Sequence, residues 1–133
     1  MNAAPKAVTM FERINALLET NLKKILNNEL HNEDRIHLYD VGEYWVAFEK
    51  SAYLLEKINP KDEQPLVLYM KGYPFPIVMH SVYYTKVNDM CRKHPMSRRG
   101  LEYLQIMTKS IDSKQYTKWY RELVIDEEDM PII

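Results

Sequence analysis

Five cations crowd one stretch of this chain. Lys86, Arg92, Lys93, Arg98 and Arg99 share the segment with a single acid, Asp89, a local surplus of four positive charges (five less one), to which His94 adds when protonated. Side chains at that density can follow a phosphate backbone. Ser97-Arg98-Arg99-Gly100 reads as the loop best suited to it, because guanidinium forks match phosphate oxygens. A charge run is more often an ordinary solvated face, and both readings stay open. The second group is Tyr44-Trp45. Neighbours on a strand point to opposite faces, so one ring is expected inside and the other outside. The outer ring would serve as a stacking wedge for a base or as an anchor for a partner. The plain alternative is a core aromatic beside a surface aromatic.

Other reactive side chains carry less. His31, His37, His80 and His94 are scattered and have no Cys or carboxylate at ligand spacing, so no metal site is expected. Cys91 falls on the apolar face of a short helix, where a thiol is an inert small hydrophobe. Ser51 and Ser81 stand in no nucleophile elbow, and no carboxylate pair announces acid–base work; Glu43 and Glu49 look ordinary. No Gly-x-x-x-x-Gly-Lys-(Ser/Thr) phosphate loop occurs, so no nucleotide is expected as a partner. A non-catalytic, cofactor-free chain is the expectation.

The elements that must position these residues follow from periodicity. Thr9-Met10-Phe11-Glu12 has capping-box spacing, and Phe11, Ile14, Leu18, Leu22 and Ile25 set a helical stripe over about 10–28. Ile36-His37-Leu38-Tyr39 alternates as a strand, Asp40-Val41-Gly42 turns, and Glu43-Tyr44-Trp45-Val46 extends again. Phe48, Ala52, Leu55 and Ile58 are helical in period, and Pro60 closes that helix. Leu66 to Met70, apolar on both faces, is expected near the middle of a sheet. Pro76 to His80 is the next strand, 85–93 a short helix ended by Pro95, and Leu101 to Met107 fits a strand or a helix. Tyr116, Trp119, Tyr120 and Leu123 place an aromatic stripe on a last helix, as core or as a docking face. This order predicts an α/β (α+β) single domain over 1–133, a mixed β-sheet flanked by helices, with flexible tails at 1–8 and 126–133.

Composition bounds the partners. At 133 residues, 46% hydrophobic and 28% charged, the chain is globular in type and long enough for a core. A net charge of −1 is unlike a sequence-independent nucleic-acid coater, so contact with DNA would need a local patch. No apolar run approaches the roughly 18–20 residues of a membrane span, and one cysteine fits a reducing cytoplasm.

Two segments go beyond these generalities. Val41 to Leu55 runs Val-Gly-Glu-Tyr-Trp-Val-Ala-Phe-Glu-Lys-Ser-Ala-Tyr-Leu-Leu. It resembles the signature of the MutS N-terminal (domain I, mismatch-recognition) family, in which a strand enters Gly-(Asp/Glu)-Phe-Tyr-Glu-x-Phe and then a helix. The match holds at Gly42, Glu43, Tyr44, Trp45, Phe48 and Ala52. Pro76 to Asp89 is similar to that family's Pro-Met-Ala-Gly-Val-Pro-Tyr-His-Ala-Val-Glu-Asn stretch, with Met79, Val82, Tyr84 and Val87 in register. The resemblance spans about residues 36–94 and implies a domain I-like fold freed of clamp and ATPase. In the family an aromatic ring wedges against the mismatched base and a glutamate two residues on bonds to it; those positions here are Tyr44 and Val46. Tyrosine keeps the stacking face, whereas valine supplies no hydrogen bond. The helix-opening Asp is Ser51, and the Gly and Pro of the second segment are Ser81 and Tyr83. Two functions follow as expectations. One is a DNA-binding module using Tyr44 or Trp45 and the 86–99 cations. The other is a protein-interaction module offering an aromatic surface to a partner or to its own copy.

Overall fold

The computed structural model describes residues 9–59 and 64–128. Thr9 opens α1 (Met10–Leu30), its hydroxyl accepting the Glu12 N–H at 3.1 Å, and Ile14, Leu18 and Ile25 recur on the buried face. β1 (Arg35–Asp40) and β2 (Tyr44–Phe48) form a hairpin whose turn needs a glycine, since Gly42 has φ +110 and donates its N–H to the Asp40 carboxylate at 2.8 Å. α2 (Glu49–Ile58) follows β2 without a loop; Pro60 itself lies outside the described residues. Then come β3 (Leu66–Leu68), β4 (Ile77–Tyr83), α3 (Tyr84–Lys93), β5 (Arg98–Arg99), β6 (Tyr103–Met107) and α4 (Ser113–Glu128). Asp112 caps α4 by accepting the Lys114 and Gln115 N–H groups at 2.9 and 3.1 Å. Residues 1–8 and 129–133 of the expected tails are outside the described residues, and α4 continues through Glu128.

The class is α+β, with helices on both faces of one six-stranded sheet ordered β3-β4-β2-β1-β6-β5. Every pairing is antiparallel, where a mixed sheet was expected. The reason is the strand order. The β2–α2–β3 crossover does return a strand parallel to β2, but β4 folds back by a hairpin and takes the place beside β2. β3 is consequently a three-residue edge strand rather than a central one. Its apolar pattern on both faces reports cover on both faces: Val67 packs on the α2–α4 side and Leu68 on the α1 side.

The two layers differ in make-up. Below the sheet, α1 packs Ile14, Leu18 and Ile25 against Val46, Phe48, Ile77 and Met79. Above it, α2, α3 and α4 close on Ile36, Leu38, Trp45, Ala47, Val78, Val82, Leu104 and Ile106. The α4 stripe belongs to this upper core: Tyr116, Trp119, Tyr120 and Leu123 are partly buried against it. Tyr120 donates to the Pro76 carbonyl at 2.7 Å and Trp119 to Glu56 at 3.2 Å. Among the described residues no helix is long and apolar enough to cross a membrane.

Candidate functional site

Tyr44 and Trp45 part to opposite faces, as β2 requires. Trp45 is 5% exposed in the upper core, and the Arg99 guanidinium lies 5.9 Å from its ring centre. Trp45 therefore cannot act as the stacking wedge proposed for it without leaving the core. Tyr44 is half-buried on the lower face. Its register partner is Tyr83, with ring centres 5.4 Å apart, and Tyr83 meets Tyr84 at 4.9 Å. Tyr83 and Tyr84 are 37% and 50% exposed. β2 thus hands its partly exposed ring to a pair that the sequence did not single out. The signal was present, because Tyr83-Tyr84 ends one strand and opens the next helix, where side chains leave the sheet. Val46, two residues from Tyr44, is fully buried.

The cations do not form one loop. Arg98 and Arg99 are an edge strand, not the tip of a turn, so their side chains take opposite faces. Arg99 pairs with Leu104 and faces α3, where it donates to Asn88 at 3.3 Å; Arg98 pairs with Gln105 on the α1 face. On α3, Arg92 and Lys93 both reach Asp89, at 3.5 and 3.2 Å. All these contacts are exposed and weak in water. The structure brings Lys86, Arg92, Lys93 and Arg99 to the α3 side and sends Arg98 to the other.

Titratable groups missed in the sequence lie where α2 begins. Phe48 occupies the N-cap of α2 and has no capping side chain. Glu29, from the end of α1, takes that role: it accepts the Ser51 N–H at 2.8 Å, the Ser51 hydroxyl at 2.6 Å and the Asn32 amide at 3.1 Å. The Ser51 oxygen in turn accepts the His37 N–H at 2.9 Å. Burial pushes the Glu29 carboxyl up to about 7 against the pull of those donors. Glu49, at φ 52 in a left-handed conformation, accepts the Tyr116 hydroxyl at 3.2 Å. Burial raises it to about 7 as well, despite that bond and the Val78 N–H. His37 and His80 are held down to about 4 by burial, with Arg35 adding to the effect at His37, so both are neutral at pH 7.

His37 also belongs to a cleft between α1 and the β1–β6 pair. Its Nδ1 is hydrogen-bonded to the Tyr103 hydroxyl, which accepts from the Gln105 amide at 2.7 Å. Among the described residues no cluster of three His, Cys, Asp or Glu side chains could hold a metal. No protein-family model, curated protein or solved structure proves similar to this chain, so the MutS resemblance rests on its matched residues alone.

Proposed function

We propose that this chain is a non-catalytic nucleic-acid-binding module that stacks bases on Tyr44, Tyr83 and Tyr84 and steadies phosphates with the cations of α3 and with Arg99 of β5. The observation that carries this reading is the contiguous tyrosine cluster at the β4–α3 junction, with Lys86 two residues beyond Tyr84. Aromatic faces beside cations suit a flexible strand, because every base offers a π-face and every nucleotide a phosphate. The resemblance of residues 41–55 and 76–89 to the MutS N-terminal segments points the same way, with Tyr44 at the stacking position. β2 and β4, which carry those segments, lie side by side in the sheet. With Val46 inside the core, the base-bonding partner is missing, and stacking on tyrosine tolerates any base. The module would bind single strands in preference to duplex and would treat matched and mismatched duplexes alike.

Titration with labelled single-stranded, duplex and mismatched oligonucleotides at two salt concentrations tests this. Affinity should fall with salt, and the Arg92→Ala, Arg99→Ala variant should reduce the logarithmic salt slope by roughly one for each phosphate it no longer neutralises. Tyr83→Ala with Tyr84→Ala should weaken binding by about tenfold or more. No binding at low salt would remove the proposal. A second reading, a protein-interaction module, draws on the loops flanking β5, where Leu101 is 97% and Met96 70% exposed. Self-association abolished by Leu101→Glu would favour it.

A further inference from the structure

The cleft below β1 and β6 has a volume of about 450 Å³, within the range of small-molecule sites. One face of α1 supplies its wall, with Asn21, Lys24 and Asn28 projecting beside apolar Leu17 and Ile25. The strands supply a floor of rings. His37 stacks near Tyr103, with centres 5.8 Å apart and planes 22° apart, and Tyr39 meets Tyr103 at 5.4 Å.

The hydrogen bonds of the lining are unevenly met. The Tyr103 hydroxyl is hydrogen-bonded to Nδ1 of the neutral His37 and accepts from the Gln105 amide at 2.7 Å. Gln105 is also engaged through its oxygen, which accepts from Arg35 at 3.3 Å. Tyr103 and Gln105 are thus held in place by their neighbours. Tyr39 is not: its buried hydroxyl makes no hydrogen bond of good geometry, although the Asn28 amide lies close enough to offset slightly the burial that raises its pKa. Asn21 uses its amide nitrogen on the Leu17 carbonyl at 3.2 Å, which leaves its oxygen to accept. The cleft therefore offers donors and acceptors together, with one cation, Lys24, balanced by one anion, Glu102.

We infer that this cleft binds a nucleoside. Balanced charge favours an uncharged ligand, ring surfaces favour a flat one, and amides facing a phenol match the alternating donors and acceptors of a base edge. A buried hydroxyl without a partner is costly, and a ligand acceptor placed against Tyr39 would satisfy it. This inference is independent of strand binding at the tyrosine cluster, which lies at the β4–α3 junction, and the two can fail separately.

The test is calorimetric titration of the full chain with adenosine, guanosine, cytidine and uridine, with ribose as a control, paired with melting curves of the free protein. At least one nucleoside should saturate the site and ribose should not. Tyr39→Phe should weaken that binding about tenfold while leaving the free protein's melting temperature unchanged or higher. Asn28→Ala, on the opposite wall, should weaken binding too. The inference is overturned if no nucleoside saturates into the millimolar range, if ribose binds as well, or if Tyr39→Phe keeps full affinity.

Discussion

The two faces of the sheet are built on different principles. The upper face is closed by three helices, and its core is almost wholly aliphatic and aromatic. The lower face is covered by α1 alone, and beside its apolar centre it gathers polar side chains from His37, Tyr39, Tyr103 and Gln105. One helix cannot span six strands, which lie roughly 4.8 Å apart, so the flank over β1 and β6 is left as a cleft. The difference is one of chemistry: the thickly covered face holds the fold together, and the thinly covered one leaves polar side chains of the sheet itself lining a cleft. Each layer nevertheless carries one raised carboxyl and one depressed imidazole, Glu29 with His37 below and Glu49 with His80 above.

Truncation separates the layers most strongly. Leu55, fully buried in the upper core, should cost about 2–5 kcal/mol as Leu55→Ala, against about zero for Tyr39→Phe at the cleft. Urea melts of the two variants measure this directly, and equal losses would break the contrast. The titrating groups come next. A carboxyl whose folded pKa is raised to about 7 gives stability that is full below about pH 4.5 and is lost as pH climbs towards 7. A histidine depressed to about 4 acts in reverse, its contribution being full above about 6.5 and lost as pH falls towards 4. Two of each nearly cancel, so the stability of the parent protein should be almost flat between pH 4.5 and 6.5. Glu29→Gln keeps the Oε1 acceptor for Ser51 and Asn32 but removes one titration. Its stability should therefore rise with pH across that interval, by about 3 kcal/mol. A variant as flat as the parent would show that Glu29 keeps an ordinary carboxyl.

Much of this architecture was legible in the sequence. The α1 stripe, the Gly42 turn and the α2 period were explicit because each is a local signal: spacing, a required positive φ, or a proline two residues beyond. The β6 segment, open between strand and helix, was decided by pairing with β1, which lies more than sixty residues earlier in the chain. Partner choice in a sheet is non-local, and the same cause hid the antiparallel pairing and the edge position of β3. The capping of α2 was illegible for a related reason. A helix opening on Phe48 shows no N-cap residue, because its cap, Glu29, comes from α1. Of the expected site residues, alternation placed Tyr44 and Trp45 on opposite faces, but it could not say which face was thinly covered. Reading Arg98-Arg99 as a loop missed a strand of only two residues, too short to show a period.

The smallest effect sharpens the comparison from within the packed layer. His80 pairs with Ala47 in the centre of the sheet and points to the upper face, 1% exposed, with neither ring nitrogen hydrogen-bonded. Its neighbours on that face of β4 are Val78 and Val82, so the ring lies among apolar groups. An imidazole there loses its water partners and gains none, a cost of about 1–3 kcal/mol. His80→Leu replaces it with an apolar side chain of similar bulk and should stabilise the protein by about 1 kcal/mol at pH 7, part of the gain being offset by imperfect packing. The same substitution removes one of the two histidine titrations, so stability should now decline as pH rises from about 4.5 to 7, opposite in slope to Glu29→Gln. Destabilisation at pH 7 would mean that the imidazole has a partner in solution, and the upper layer would then hold a polar site of its own.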